Sequence, residues 1–240
     1  APRQGEDRHP LLNTLITDAV VLTLNDRLDV VRGDVGVVDG RIAFVGDRPA
    51  ALDSVRFDET IDAAGGYLLP GFIQTHIHLC QTVFRTLADD MPLLEWLRTR
   101  VWPLEAAHDA TTLAVSARLA AAELLKGGTT TALTMETVHG TEAVFEALEP
   151  TGLRATVGKC LMDTDDLAPA RLKEEAGAAI AESLALHRRW HGAAGGRLRV
   201  ALAPRFAVSC SRELLEMVAD TADRHGLLVH THASENQDEI

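Results

Sequence analysis

Two histidines in one short apolar segment are the first sign of chemistry in this sequence. His76 and His78 stand two residues apart within GFIQTHIHLC, residues 71–80. Because successive side chains of a β-strand point to opposite faces, residues i and i+2 lie on the same face. A strand here therefore projects two imidazoles side by side. Buried imidazole nitrogens need partners, and a divalent ion such as zinc or iron satisfies both rings.

The same spacing recurs near the end of the sequence, in VHTHASEN at residues 229–236. By periodicity alone, His230 and His232 could both be ligands. We favour His232 as the ligand, with His230 supporting the site or packing in the core. Glu235 follows just beyond the predicted strand end, where a carboxylate can act as proton shuttle for a metal-bound water. The alternative interpretation is that Ser234 caps a following helix, and both can hold.

The elements that must position these residues alternate between strand and helix. Before about residue 90 the pattern is β-rich, with a hairpin turn at Asp39-Gly40. Beyond it, apolar strands alternate with segments of helical period, and Ser211 is predicted to cap the last helix. The predicted strands cover residues 129–135, 153–162, 197–208 and 227–235, and the predicted helices cover residues 92–102, 111–128, 141–152, 171–192 and 211–226.

Counted from the histidine strand, this pattern is β-α five times over, with the last helix missing. It predicts an α/β fold in which helices cover both faces of a parallel sheet. A doubly wound sheet and a (β/α)8 barrel both fit. No glycine-rich phosphate fingerprint follows the first strand, which disfavours the doubly wound nucleotide-binding fold. Polar residues gather at predicted strand carboxyl ends, as on the functional rim of a barrel: His76, His78, Glu136, Lys159, Arg205, His232 and Glu235.

Composition excludes several other classes of function. The chain has 240 residues, with 35 acidic and 23 basic side chains and a formal net charge of −12, so it is a poor candidate for binding nucleic acid. No apolar run reaches the roughly 18 residues that span a membrane. The three cysteines, Cys80, Cys160 and Cys210, are widely spaced and odd in number. We therefore expect a reducing compartment, the cytoplasm, and no disulfide framework.

Five motifs together carry a resemblance to a known family: LPGFIQTHIHLCQT, LADDMPLLEWL, GGTTT, APRFAVSCS and VHTHASEN. From about residue 15 onward the sequence resembles the aminohydrolase branch of the amidohydrolase superfamily. It is most similar to the 5′-deoxyadenosine and S-adenosylhomocysteine deaminases, with guanine deaminases second. The resemblance implies a distorted (β/α)8 TIM-type barrel with a small β-domain. It also implies one divalent metal, zinc before iron, held by His76, His78 and His232, with Glu235 as the catalytic residue.

Parts of that barrel have no counterpart in the sequence. The family's histidine from the sixth strand and its aspartate from the last strand are missing, because the sequence ends just after strand five. We therefore expect strands six to eight to come from further residues or from a second chain. Along the chain we predict a flexible N-terminus over residues 1–14, a small β-domain over 15–66 and five βα units over 67–240. We also expect a homo-oligomer with no nucleic-acid or membrane partner.

The resemblance also carries over five substrate-binding candidates. Glu105 matches a glutamate that binds ribose hydroxyls, and Arg205 matches a position that touches the purine. Trp96 is expected either to wall the pocket or to fill a helix face. Gln81 resembles the glutamine of guanine deaminases, and Lys159 stands where S-adenosylhomocysteine deaminases carry arginine. For Glu105, the alternative is a solvated carboxylate at a helix end.

These residues together predict hydrolytic deamination of an adenosine-type nucleoside. The substrate is 5′-deoxyadenosine, adenosine or a 5′-thio relative, and the products are ammonia and the inosine analogue. In this prediction the metal lowers the pKa of a bound water to about 7, and Glu235 passes a proton to the adjacent ring nitrogen and then one to the leaving ammonia. The alternatives are a guanine deaminase and a triazine chlorohydrolase or aminohydrolase. A scaffold of the same fold without activity is the non-enzyme alternative, against which the retained histidines argue.

Overall fold

The computed structural model describes residues 11–87, 90–164, 166–235 and 237. The chain divides into two units, residues 1–70 and 71–240. The predicted flexible N-terminus lies outside the described residues as far as residue 10, and the first strand begins at Thr14. Among the described residues, no helix is both long enough and apolar enough to cross a membrane.

The first unit is a β-sheet. Its strands are β1 (Thr14–Leu22), β2 (Val30–Val38), β3 (Arg41–Gly46), β4 (Glu59–Asp62) and β5 (Tyr67–Leu68). They run in the order β3-β2-β1-β4, with β5 also paired to β1. The predicted hairpin between β2 and β3 is confirmed, since the strands pair antiparallel and Asp39 and Gly40 have φ angles of 51° and 72°. Two successive positive φ angles are typical of the turn that joins tightly paired strands.

The second unit contains a parallel sheet of five strands. They are β6 (Phe72–Ile77), β7 (Thr129–Met135), β8 (Arg154–Leu161), β9 (Leu198–Pro204) and β10 (Leu228–Val229). The order across the sheet, β10-β9-β8-β7-β6, follows the order along the chain. A doubly wound sheet reverses its strand order at a switch point, whereas a barrel does not. The strand order therefore favours the barrel.

Helices connect these strands. The α-helices are α1 (Leu93–Trp96), α2 (Trp102–Ala107), α3 (Ala110–Lys126), α4 (Thr141–Leu148), α5 (Ala176–Trp190), α6 (Ala193–Gly196) and α7 (Arg212–His225). A π-helical turn covers Leu97–Val101, and 3-10 turns cover Ala50–Leu52, Leu79–Phe84, Glu149–Thr151, Ala170–Leu172 and Ala207–Ser209.

The starts of two helices test the sequence predictions. The predicted cap of α7 is confirmed, because the Ser211 hydroxyl accepts the backbone N–H of Leu214. The helix predicted over 171–192 begins only at Ala176, where the Glu175 carboxylate accepts the first free N–H groups.

Strand β8 separates two packed layers. Val157 and Leu161 pack among residues of the covering helices, whereas Cys160 packs with Trp102 in a different cluster. Because side chains alternate along a strand, Lys159 shares the face of Val157 and Leu161. The face of the strand on which a polar side chain lies determines whether it can reach the candidate site.

The last strand is shorter than predicted. The prediction of a strand over residues 227–235 is wrong beyond Val229, where β10 ends. His230 still donates its backbone N–H to the carbonyl of Leu202, and His232 donates its backbone N–H to the carbonyl of Arg205. These isolated bonds hold the segment beside β9 without continuing a regular ladder.

Candidate active site

Four histidines come together from the two edge strands of the parallel sheet. His76 lies in β6 and His78 follows it, while His230 and His232 follow β10. In a flat sheet these edges would be about 19 Å apart, since neighbouring strands are about 4.8 Å apart. The ring of His76 nevertheless lies 4.9 Å, between centroids, from each of the other three rings. The sheet therefore curls until its edges approach, as strands do when they close a barrel.

Hydrogen bonds orient these rings. Nδ1 of His232 lies 2.7 Å from the carbonyl oxygen of Arg205, which can only accept, so Nδ1 donates and the lone pair is on Nε2. That Nε2 lies 3.2 Å from Nε2 of His78. Nδ1 of His76 lies 2.8 Å from Nε2 of His230. One ring nitrogen from each of His76, His78 and His232 lies within 4.8 Å of the other two.

The protonation of these rings suits a metal ion. Burial lowers the pKa of His76, and it lowers the pKa of His78 further, with a contribution from the positive charge of Arg205. Imidazoles that stay neutral keep the lone pairs that a metal needs. Three converging neutral imidazoles are typical of zinc sites that keep one open position. The residues therefore fit a divalent ion, with His230 placed to hold the ring of His76.

The three histidines line a cavity of about 230 Å³. Glu235 lines the same cavity, as a proton shuttle must. Three of the five predicted substrate-binding residues also line it, namely Gln81, Trp96 and Arg205. The complete set of described lining residues is His76, His78, Gln81, Trp96, Leu97, Arg205, Phe206, His232 and Glu235.

Behind this cavity Glu105 and Arg205 form a buried ion pair. Nη1 of Arg205 lies 2.7 Å from Oε2 of Glu105, and Nη2 lies 3.3 Å from Oε1. Gln81 donates from Nε2 to the same Oε1 at 2.7 Å. Glu105 is therefore not the solvated helix-end carboxylate of the alternative interpretation, because its side chain is 0% exposed and that of Arg205 is 3% exposed.

Comparison with known proteins identifies the family of this chain. Residues 67–240 match the family profile described as Amidohydrolase family. The chain belongs to the amidohydrolase family. The matched region contains both His-x-His segments and Glu235, so every residue of the candidate amidohydrolase site falls within it.

Relatives of this amidohydrolase chain are about twice its length. It is 34% identical over 230 residues to the 5-methylthioadenosine/S-adenosylhomocysteine deaminase of Desulfitobacterium hafniense (strain DSM 10664 / DCB-2), covering 95% of this chain and 51% of the relative. It is 37% identical over 226 residues to the 5′-deoxyadenosine deaminase of Methanobrevibacter smithii, covering 94% and 49%. The crystal structure of guanine deaminase from C. acetobutylicum, with guanine in its active site, matches with a TM-score of 0.86 at 26% identity, covering 95% and 54%. The predicted fold is confirmed: the chain carries about five βα units of an amidohydrolase barrel, and it spans about half the length of the curated relatives it matches.

Lys159 lies apart from the amidohydrolase cavity. Its Nζ is paired with the carboxylate of Glu174 and lies 3.6 Å from Oε2 of Glu182 on α5. The lysine side chain is 0% exposed and shares the helix-facing side of β8. The structure therefore does not bring Lys159 to the cavity with the other candidates, and its predicted contact with substrate stays a prediction.

Glu136 is a buried acid that the strand pattern placed on the rim of the barrel, without a predicted catalytic or binding role. It directly follows β7, is 1% exposed, and accepts the backbone N–H of Cys80 on Oε2 at 3.0 Å. Burial raises the pKa of Glu136 to about 7, against the lowering effect of its hydrogen bonds. The bond anchors the segment between His78 and Gln81. Its position at a strand end is visible in the sequence, but its burial is not.

Proposed function

We propose that the protein is a metal-dependent hydrolase that deaminates an adenosine-type nucleoside. The substrate is 5′-deoxyadenosine, adenosine or a 5′-thio relative, and water replaces its amine to give the inosine analogue and ammonia. One observation carries the proposal: Glu235 shares a single cavity with three converging histidine nitrogens. The names of the curated relatives, which are deaminases of adenosine-type nucleosides, support the choice of substrate.

In this proposal His76, His78 and His232 hold one divalent ion. We propose zinc, because neutral imidazoles in a three-ligand set with an open position suit it best. When bound, the ion supplies Lewis acidity that lowers the pKa of a water molecule. Glu235 accepts the proton that this water loses. It delivers this proton to the ring nitrogen beside the amine-bearing carbon. It then takes a second proton from the hydroxyl that has added to that carbon and delivers it to the amine, which leaves as ammonia. His230 holds the ring of His76 in place.

The walls of the cavity suit a planar heterocycle. Trp96 and Phe206 provide aromatic surface, and Leu97 adds an apolar contact. Gln81 and Arg205 provide donors for the polar edge of a purine. We propose that these side chains orient the base so that its amine-bearing carbon faces the histidines.

A guanine deaminase is the second candidate. Arg205 lines the cavity with a guanidinium, which only donates hydrogen bonds and so suits the carbonyl oxygen of an oxopurine. The solved neighbour that holds guanine supports this alternative. Substrate turnover separates the two candidates, since the nucleoside deaminase accepts a ribosyl purine and the guanine deaminase accepts a free base.

Cellular location and assembly complete the proposal. The three cysteines are free and buried, which is typical of a protein from a reducing compartment, so we propose the cytoplasm. We also propose a homo-oligomer, which measurement of the molecular mass in solution tests. We propose that strands six to eight come from further residues or from a second chain, which the complete gene sequence tests.

Metal analysis and ammonia release test the proposal together. We expect the protein to carry about one equivalent of a divalent metal per active site and to release ammonia from 5′-deoxyadenosine, adenosine or 5′-methylthioadenosine. Turnover of guanine with none of these nucleosides would favour the second candidate. Purification without stoichiometric metal, together with no turnover of any of them after zinc is added, would favour the scaffold.

A further inference from the structure

Glu105 lies behind the cavity wall that Arg205 and Gln81 form. Both of these residues line the cavity, and both donate hydrogen bonds to the Glu105 carboxylate. Glu105 itself is buried and is not among the described residues that line the cavity. The two hydrogen-bond partners of Glu105 therefore stand between its carboxylate and the cavity.

The contacts of Arg205 show what Glu105 holds in place. The guanidinium has five N–H donors in a rigid plane, and the two bonds to Glu105 use one donor from each terminal nitrogen. The same group lies 5.8 Å from the centroid of Trp102. A carboxylate on one edge and an aromatic ring nearby restrict the rotation of this plane, so the remaining donors keep a defined direction.

Charge supplies a second reason for this pairing. Arg205 lines the same cavity as the three proposed metal ligands, His76, His78 and His232. An unpaired guanidinium there would repel a divalent ion held by the histidines. The Glu105 carboxylate cancels this charge, so the wall donates hydrogen bonds without a net positive charge.

We propose that Glu105 is a positioning residue that acts through Arg205 and Gln81, and that these two, rather than Glu105, contact the substrate. This inference rests on the proposed nucleoside deaminase and deepens it. It differs from the expectation carried by the family resemblance, in which the glutamate binds the ribose hydroxyls directly. The two roles make opposite predictions about the sugar.

The first experiment combines Glu105→Gln with a change in the substrate. We expect the variant to lose about ten- to a hundredfold in kcat/KM, the usual effect of a charge-assisted hydrogen bond. The loss should be equal, within about threefold, for 5′-deoxyadenosine and for its analogue without the 2′ and 3′ hydroxyls. A loss confined to the substrate with both hydroxyls would overturn the proposal and establish direct contact with the sugar.

A double-mutant cycle provides a second, independent readout. Lysine cannot reproduce the two parallel bonds of arginine to a carboxylate, so Arg205→Lys removes most of what Glu105 holds. In the Arg205→Lys background we expect Glu105→Gln to cost less than about threefold in kcat/KM. Equal costs in the two backgrounds would show that Glu105 acts independently of Arg205 and would contradict the proposal.

The chain offers a control pair of the same residue types in another layer of the fold. Glu142 pairs with Arg189 at 2.6 Å, and that guanidinium lies 5.3 Å from the centroid of Trp190. Glu142→Gln therefore breaks a carboxylate–guanidinium contact away from the cavity, in a pair whose side chains are partly exposed rather than buried. We expect the kcat/KM of Glu142→Gln to stay within about twofold of the wild-type value for both nucleosides. A larger change would contradict the proposal and assign the Glu105 effect to general destabilisation.

Thermal unfolding separates an effect on stability from an effect on function. Thermal unfolding of each variant is measured first, and if Glu105→Gln does not fold, Glu105→Asp takes its place, because it keeps the charge and shortens the reach. We expect Glu105→Asp to lose kcat/KM equally for the nucleosides with and without the sugar hydroxyls. If the wild type deaminates no adenosine-type nucleoside, the proposed function fails. If it does so and the loss depends on the sugar hydroxyls, only the role of Glu105 fails.

Discussion

Replacing Glu136 by glutamine is expected to change how folding stability depends on pH. Burial raises the pKa of this carboxyl from 4.5 to about 7. Between these two values the unfolded chain releases a proton that the folded protein keeps, so stability decreases as pH rises through this window. The shift corresponds to about 3 kcal/mol, since one pKa unit is about 1.4 kcal/mol. Glu136→Gln removes the charge and keeps an oxygen that can accept the N–H of Cys80.

Urea unfolding of the metal-free protein at several pH values measures this effect. From about pH 4 to about pH 8 we expect the free energy of unfolding of Glu136→Gln to rise relative to that of the wild type by about 3 kcal/mol. Taking the difference between the two proteins removes the titration of all other groups. Glu216→Gln is the control, because this glutamate on α7 has a side chain that is 70% exposed. Its difference from the wild type should stay constant over the same range.

Two results would contradict the argument. A difference between wild type and Glu136→Gln that does not vary with pH would mean that the folded carboxyl titrates as it does in the unfolded chain, and that burial has no electrostatic cost. A variant that loses stability relative to the wild type as pH rises would mean that a partner stabilises the carboxylate. Burial would then not be the dominant effect on its pKa.

Three further substitutions test other parts of the site. His232→Ala should purify with far less than one equivalent of metal by elemental analysis and should lack activity, because the set of three imidazoles is broken. Glu235→Gln should retain its metal while kcat falls by roughly 10²- to 10⁴-fold, and a fully active variant would exclude the proton-shuttle role. Lys159→Met should lower the free energy of unfolding by about 3–5 kcal/mol in urea titrations, because it leaves the Glu174 carboxylate buried without its cation. A variant with wild-type stability and a raised KM would instead support contact between Lys159 and substrate.

Local features of this protein could be predicted from its sequence. The Asp39-Gly40 turn and the Ser211 cap depend on the conformational preferences and hydrogen bonds of neighbouring residues, and both are confirmed. The alternation of strands and helices was visible because hydrophobic period is also local. The end of β10 at Val229 was not, since a strand ends where its pairing ends, and pairing depends on a distant partner.

The chemical character of the site was also evident in the sequence, but its assembly was not. The histidine pairs and Glu235 indicated metal chemistry by residue type and spacing, whereas only the curl of the sheet brings His76 and His232 within 4.9 Å of each other, measured between ring centroids. The pairing of Glu105 with Arg205 joins residues 100 positions apart, and no local pattern encodes it.

Lys159 shows most clearly why tertiary structure was needed. A strand covered by packed layers on both faces is apolar throughout, so its sequence does not reveal which side chains point towards the helices. Packing decides this by placing Val157 and Leu161 among helix residues, and Lys159 shares their face. The sequence by itself thus determined which kinds of residue end each strand, and only the packed sheet decided which of them meet.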